Sequence, residues 1–169
     1  MIVVADAGPL IHLSLIRLLR VLPILYEQVL VPDLVFDEVV GEEDLLAGSA
    51  ELRNADWIER VRHDSTAPLF QLLRAELDPG EAAAISVAVE RQASLVLSDD
   101  RPARLAAEQL GLGIKGTLGI LVEAKRRGEI REVAPLITQL KSRGVWLSDR
   151  LIERILTESG EDDLESPPT

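Results

Sequence analysis

Short runs of consecutive apolar residues alternate along this chain with longer stretches in which apolar positions recur every three or four residues. The first pattern predicts strands buried on both faces of a parallel sheet, the second helices laid against it. Residues 2–5, 28–31 and 95–97 are strands of that kind, 57–61 reads as an edge strand, and 113–116 fits a further parallel strand feeding a helix. Helices are predicted over 9–20, 32–40, a piece ending near Arg53, 69–77, 81–92, 103–110, 117–127, 133–143 and 149–158. Ser148 is the expected N-cap of the last. Pro23 and Asp78-Pro79-Gly80 read as interruptions. The alternation predicts an α/β fold, a three-layer α/β/α domain over residues 1–158 with a mostly parallel central sheet of about four to five strands. Residues 159–169 are acidic, end in a proline pair and are expected to be disordered.

Composition narrows the class. With 169 residues, 47% apolar and 3% aromatic, the chain can build one core, packed by Leu, Val, Ile and Ala. It has no cysteine, which excludes disulfides and thiolate metal sites. No apolar run approaches the roughly 18 residues that span a bilayer, and the start lacks a basic signal-peptide region. We therefore expect a soluble, cytoplasmic protein with no membrane partner. A net charge of −11 argues against a general nucleic-acid binder. The charge is uneven, however: residues 1–100 balance at −11 and residues 101–154 at +5.

The informative acids are those on apolar faces, where an ionised carboxylate is costly without a cation or hydrogen bonds. Asp6 ends one apolar strand and Asp99-Asp100 follow another, at the strand ends where open α/β sheets hold ligands. Glu81 lies on the stripe of Ile85, Ala88 and Val89, and Glu38 shares a face with Leu34 and Val35. Each also has a plainer role open to it. Asp6, Asp99 and Asp100 could serve turns and caps, Glu81 could complement a helix dipole, and Asp37-Glu38 could be a surface pair. Oxygen ligands favour Mg²⁺ or Mn²⁺ over Zn²⁺. His12 and His63 fit no zinc motif and are expected at the surface or in packing.

Four segments in order, VVADAGPLIHL, LDPGEAAAISVA, LVLSDDRPAR and GIKGTLGILVEAKRRG, make the chain resemble the PIN-domain family over about residues 1–157. The family includes the metal-dependent ribonuclease toxins of type II toxin–antitoxin pairs. The resemblance implies that Asp6, Glu38, Glu81 and Asp99 are the catalytic, metal-binding acids, with Asp100 alongside. It further implies Mg²⁺ or Mn²⁺ as cofactor, single-stranded RNA as substrate, a cognate antitoxin and a homodimer. Arg101, Arg104 and Lys115 are candidate contacts to RNA phosphate, with Arg104 one helical turn beyond Asp100. Lys125-Arg126-Arg127 could join them or simply complement a helix C-terminus. Ala7-Gly8-Pro9 stands where many PIN nucleases place Ser or Thr. The alternative is therefore a catalytically weakened PIN-like module that binds RNA or protein. A response-regulator receiver or a haloacid-dehalogenase-type phosphatase fits less well, since Asp6 has no second acid close behind it.

Overall fold

The computed structural model describes residues 1–41 and 49–162, in two compact units, one from Met1 to Thr117 and one beginning at Leu118. The first unit is built on five parallel strands, β1 (Ile2–Ala5), β2 (Gln28–Pro32), β3 (Ile58–Val61), β4 (Leu95–Leu97) and β5 (Gly113–Lys115), in the order β3-β2-β1-β4-β5. The predicted edge strand is indeed at one edge, and the segment expected as a further parallel strand closes the other. The inner strands carry no polar residue facing a helix layer: Val3, Val4, Ala5, Val29, Leu30, Val31, Val96 and Leu97 are all buried. That is why they read as continuous apolar runs.

Right-handed crossovers place the helices. From β1 outward to β3 the chain passes through α1 (Ala7–Leu15), α2 (Val21–Leu25), α3 (Asp33–Val40) and α4 (Ser49–Arg53). It then returns through α5 (Pro68–Leu73) and α6 (Pro79–Glu90) to β4, and through α7 (Arg101–Gln109) to β5. The direction reverses between β1 and β4, and the sheet is the middle of three α/β/α layers. On one face, Val4, Leu30, Val61 and Val96 pack with Ala84, Val87 and Ala88 of α6. The small side chains of α6 let that helix sit low on the sheet, and α5 and α7 flank it through Phe70, Leu73, Ile85, Ala103 and Ala107.

Several helix boundaries differ from expectation. The helix expected over 9–20 starts at Ala7, directly after Asp6, and ends at Leu15, because Arg17 takes a left-handed conformation (φ 57°) that turns the chain. Pro23 does not interrupt; it sits inside α2, early enough that its missing N–H costs no helical hydrogen bond. The break expected at Asp78-Pro79-Gly80 separates α5 from α6, but α5 already ends at Leu73 and Pro79 opens α6 with Asp78 as its N-cap. The first part of the helical piece expected before Arg53 lies outside the described residues.

The second unit holds most of α8 (Thr117–Arg126), with α9 (Ala134–Ser142) and α10 (Asp149–Ser159). Ser148 caps α10, accepting from the Leu151 N–H at 3.2 Å. Disorder expected from residue 159 does not begin there. Ser159 belongs to α10, Gly160 ends the helix in the left-handed conformation, and the Glu161 side chain is buried. Glu161 accepts from Lys125 Nζ at 2.7 Å and from the backbone N–H groups of Val133 and Ala134 at 2.7 and 2.8 Å. Residues 163–169 lie outside the described part.

Candidate active site

The strand order changes direction between β1 and β4, and the first acids stand at that point. Asp6 follows β1, and its N–H donates to the Leu97 carbonyl at 2.9 Å, so the two strand ends are tied together. Ser98, the residue after β4, donates its hydroxyl to Asp6 Oδ2 at 3.1 Å. The hydroxyl missing after Asp6 in the sequence is thus supplied from the neighbouring strand. Burial pushes the Asp6 carboxyl from 3.8 up to about 6. The Ala7 N–H and Ser98 oppose that rise, and the charges of Glu38 and Asp99 add to it.

Asp99 is held quite differently. Its Oδ1 accepts from the Thr117 N–H at 2.6 Å, and its Oδ2 from the Thr117 hydroxyl at 2.6 Å and from His12 Nδ1 at 2.8 Å. Burial raises its carboxyl, but the His12 and Thr117 bonds outweigh burial and hold it below the ordinary range. His12 therefore has a partner at the site, where the sequence suggested only surface or packing. His63 does pack, on Phe70 at 5.1 Å between ring centroids, with Nδ1 2.5 Å from Asp33 Oδ1. Asp100 caps α7, accepting from the Ala103 N–H at 3.0 Å.

Glu38 on α3 and Glu81 on α6 face the same space from two helices. Glu81 completes a capping box with Asp78, whose N–H it accepts at 3.1 Å. The helix-cap role and the pocket role fall on one side chain. Burial pushes the Glu81 carboxyl up to about 7 against the Asp78 N–H bond, with Asp100, Asp6 and Asp78 adding repulsion. Burial also raises Glu38, helped by the charge of Asp78. Asp6, Glu38, Asp78, Glu81, Asp99 and Asp100 line one cavity of about 280 Å³, together with Ala7, Gly8 and Gly80.

Glycines make the approach possible. A Cβ on Gly80 would stand 3.1 Å from Glu38 Oε2 and 3.6 Å from Asp6 Oδ1, and one on Gly116 only 2.7 Å from Asp99 Oδ1. Arg104 stands beside the site, its Nη2 3.8 Å from that same Gly116 position. Arg101 is exposed at the start of α7, and Lys115 lies over the Tyr26 ring at 5.9 Å. Lys125, Arg126 and Arg127 pair with Glu161, Glu158 and Glu123. Ser98, His12, Thr117 and Asp78 were not singled out from sequence. Only the rule that polar residues at the carboxyl ends of strands deserve scrutiny could have found Ser98 and Thr117.

The donor set is all oxygen and carries more negative charge than its hydrogen bonds compensate, which suits a hard divalent cation in kind. Among the described residues, no three acidic or histidine side chains stand close enough together to ligate one ion as placed.

An acid-lined cavity at the switch point of a parallel α/β sheet defines the class: a three-layer domain built to bind at its carboxyl edge. The family described as PIN domain matches residues 2–161, and the chain belongs to it. The fold is accordingly of nuclease type. No curated protein matches the chain. Among the described residues no helix is long and apolar enough to cross a membrane.

Proposed function

We propose that this chain is a Mg²⁺- or Mn²⁺-dependent endoribonuclease that hydrolyses phosphodiester bonds of single-stranded RNA, acting as the toxin of a type II toxin–antitoxin pair in the cytoplasm. The observation that carries the reading is the set of carboxyls raised by burial around one cavity, Asp6, Glu38 and Glu81, a charge state that a divalent cation relieves. Asp6, Glu38, Glu81 and Asp99 would hold the ion, with Asp100 at the start of α7 beside them. A bound Mg²⁺ or Mn²⁺ supplies positive charge for the phosphate and lowers the pKa of water. The chain's own part is to orient and to exclude. Ser98 fixes the Asp6 carboxylate, the capping box fixes Glu81, and Gly80 leaves room between Glu38 and Asp6. Arg104 stands where a phosphate flanking the cleaved bond can be met, with Arg101 and Lys115 as further contacts. Partners follow from the same charge. An antitoxin that inserts a basic side chain would complement the acids electrostatically, and a second copy of the chain is expected from the family.

The test is incubation of a mixed single-stranded RNA pool with Mn²⁺, Mg²⁺ or EDTA, using wild type beside Asp6→Asn and Glu81→Gln. Cleavage with metal, absent in EDTA and lowered at least about 100-fold by either substitution, is the expected result. Folded wild type that cleaves with neither metal would instead favour the weakened module that binds RNA or protein.

A further inference from the structure

We infer that the second unit carries a platform for single-stranded RNA, on which Trp146 stacks a base while Arg143 and Arg150 meet the flanking phosphates. The inference rests on the RNA reading above for its substrate, but it needs neither metal nor cleavage. Trp146 is 85% exposed, the most exposed large apolar side chain among the described residues. It makes no ring contact and no hydrogen bond of its indole N–H among them. A lone apolar side chain on a surface is ordinary, so exposure alone assigns nothing. The mounting of the ring does more. Gly144 closes α9 in the left-handed conformation (φ 87°), its N–H donating to the Lys141 carbonyl at 3.0 Å, and the Val145 N–H donates to the Leu140 carbonyl at 3.0 Å. Ser148 caps α10. Trp146 and Leu147 alone lie between these anchors, and Val145 and Leu147 on either side of the tryptophan are half-buried. The backbone is pinned and the ring is left outside, so seating a base on it costs little ordering.

The surroundings of the ring select its partner. Residues 141–154 carry Lys141, Arg143, Arg150 and Arg154 against two acids, Asp149 and Glu153. Arg143 and Arg150 are exposed and make no ion pair among the described residues. Even in a fully extended chain they would lie within about 14 Å of Trp146. A protein interface needs an apolar patch around such a ring. None is present: every other exposed large apolar side chain among the described residues, Leu72 and Leu105 included, belongs to the first unit. One flat ring among cations matches one base and its phosphates, the pairing by which single strands are held without sequence readout. A duplex fits less well, because its base faces are covered by stacking.

The full chain in EDTA, titrated with a short single-stranded RNA of mixed sequence and with the same RNA annealed to its complement, tests the platform by tryptophan fluorescence and by the anisotropy of a labelled RNA. The single strand should quench the emission and the duplex should not. Trp146→Ala should abolish the quench, leaving the half-buried Trp57 as the sole indole, and weaken binding at least about fivefold. Trp146→Phe, which keeps a stacking face, should recover most of the affinity. Arg143→Gln and Arg150→Gln should each flatten the slope of log K against log salt by about 0.7. Single-strand binding that Trp146→Ala leaves unchanged overturns the platform, whatever the metal-dependent cleavage assay shows. A quench with the expected loss in Trp146→Ala, from a wild type that cleaves with neither Mn²⁺ nor Mg²⁺, supports the platform and removes the nuclease reading instead. Equal binding of duplex and single strand overturns stacking. A changed oligomeric state in Trp146→Ala with RNA binding intact overturns it too, and gives the ring to a second copy of the chain.

Discussion

At the residue scale, Asp6, Glu38 and Glu81 resist ionisation while Asp99 is held ionised, and pH acts on the two kinds with opposite sign. Asp6 and Glu81 titrate in the folded chain near 6 and 7, above their ordinary values of 3.8 and 4.5. The native state thus binds more protons than the unfolded state between pH about 4 and 7, and stability must fall as pH rises through that window. For Asp6, which is buried, the loss is on the order of 3 kcal/mol. Asp99 runs the other way: its folded carboxyl lies below the ordinary range, so its contribution is present at neutral pH and lost as pH drops through the folded value. Melts of the metal-free protein should accordingly give a Tm that declines from pH 5 to pH 8. Mn²⁺ should restore stability at the alkaline end only, since it competes there with no protons. A Tm independent of pH over that range, with and without Mn²⁺, would mean that Asp6 and Glu81 are not the strained pair described here.

At the scale of elements, the same substitution at two glycines should have opposite consequences. Gly80 lies in the first turn of α6, where alanine is the better helix former by up to about 1 kcal/mol, yet its Cβ would push against Glu38 Oε2. Gly80→Ala should therefore keep or raise Tm and impair metal uptake. Gly116 precedes α8 and faces an Asp99 pinned by three hydrogen bonds, so Gly116→Ala must break one of them and lower stability by about 1–3 kcal/mol. Denaturant unfolding and Mn²⁺ titration of the two variants check both signs. This contrast also marks what could be read from the sequence. Strands announced themselves as unbroken apolar runs because both faces are covered, and an Asp ending such a run could only be turn, cap or site. Glu81 was legible for the same reason, as an acid on an apolar stripe. His12 was not, because a lone histidine on an apolar helix looks the same whether it packs or binds an acid 87 positions away. Thr117 lies just past a three-residue strand with one exposed and two half-buried residues, too weak a pattern to mark a strand end worth inspecting. Asp78 was passed over because the Asp78-Pro79-Gly80 run marks the break between two helices as plainly as it marks the cap of the second.

At the scale of the whole molecule, a chain of net charge −11 is asked to bind a polyanion. The positive balance of residues 101–154 offers less help than its size suggests. Lys125, Arg126 and Arg127 are already spent on Glu161, Glu158 and Glu123, and the first of these pairs includes a buried carboxylate near the end of the described chain. What remains beside the pocket is Arg101 and Arg104, neither of which has an ion pair among the described residues. RNA association should therefore involve few phosphate contacts, and its salt dependence should be shallow: each contact to a single strand contributes a slope of about −0.7 in log K against log salt. We expect Arg104→Ala to make the slope shallower by about one such contact and to weaken binding across all RNA sequences alike, since a phosphate contact carries no base information. Equilibrium binding of a catalytically silent Glu81→Gln chain to labelled single-stranded RNA, measured from low to moderate salt with and without the Arg104 change, gives that number directly. A steep slope that Arg104→Ala leaves untouched would place the nucleic-acid contact elsewhere, away from Arg104.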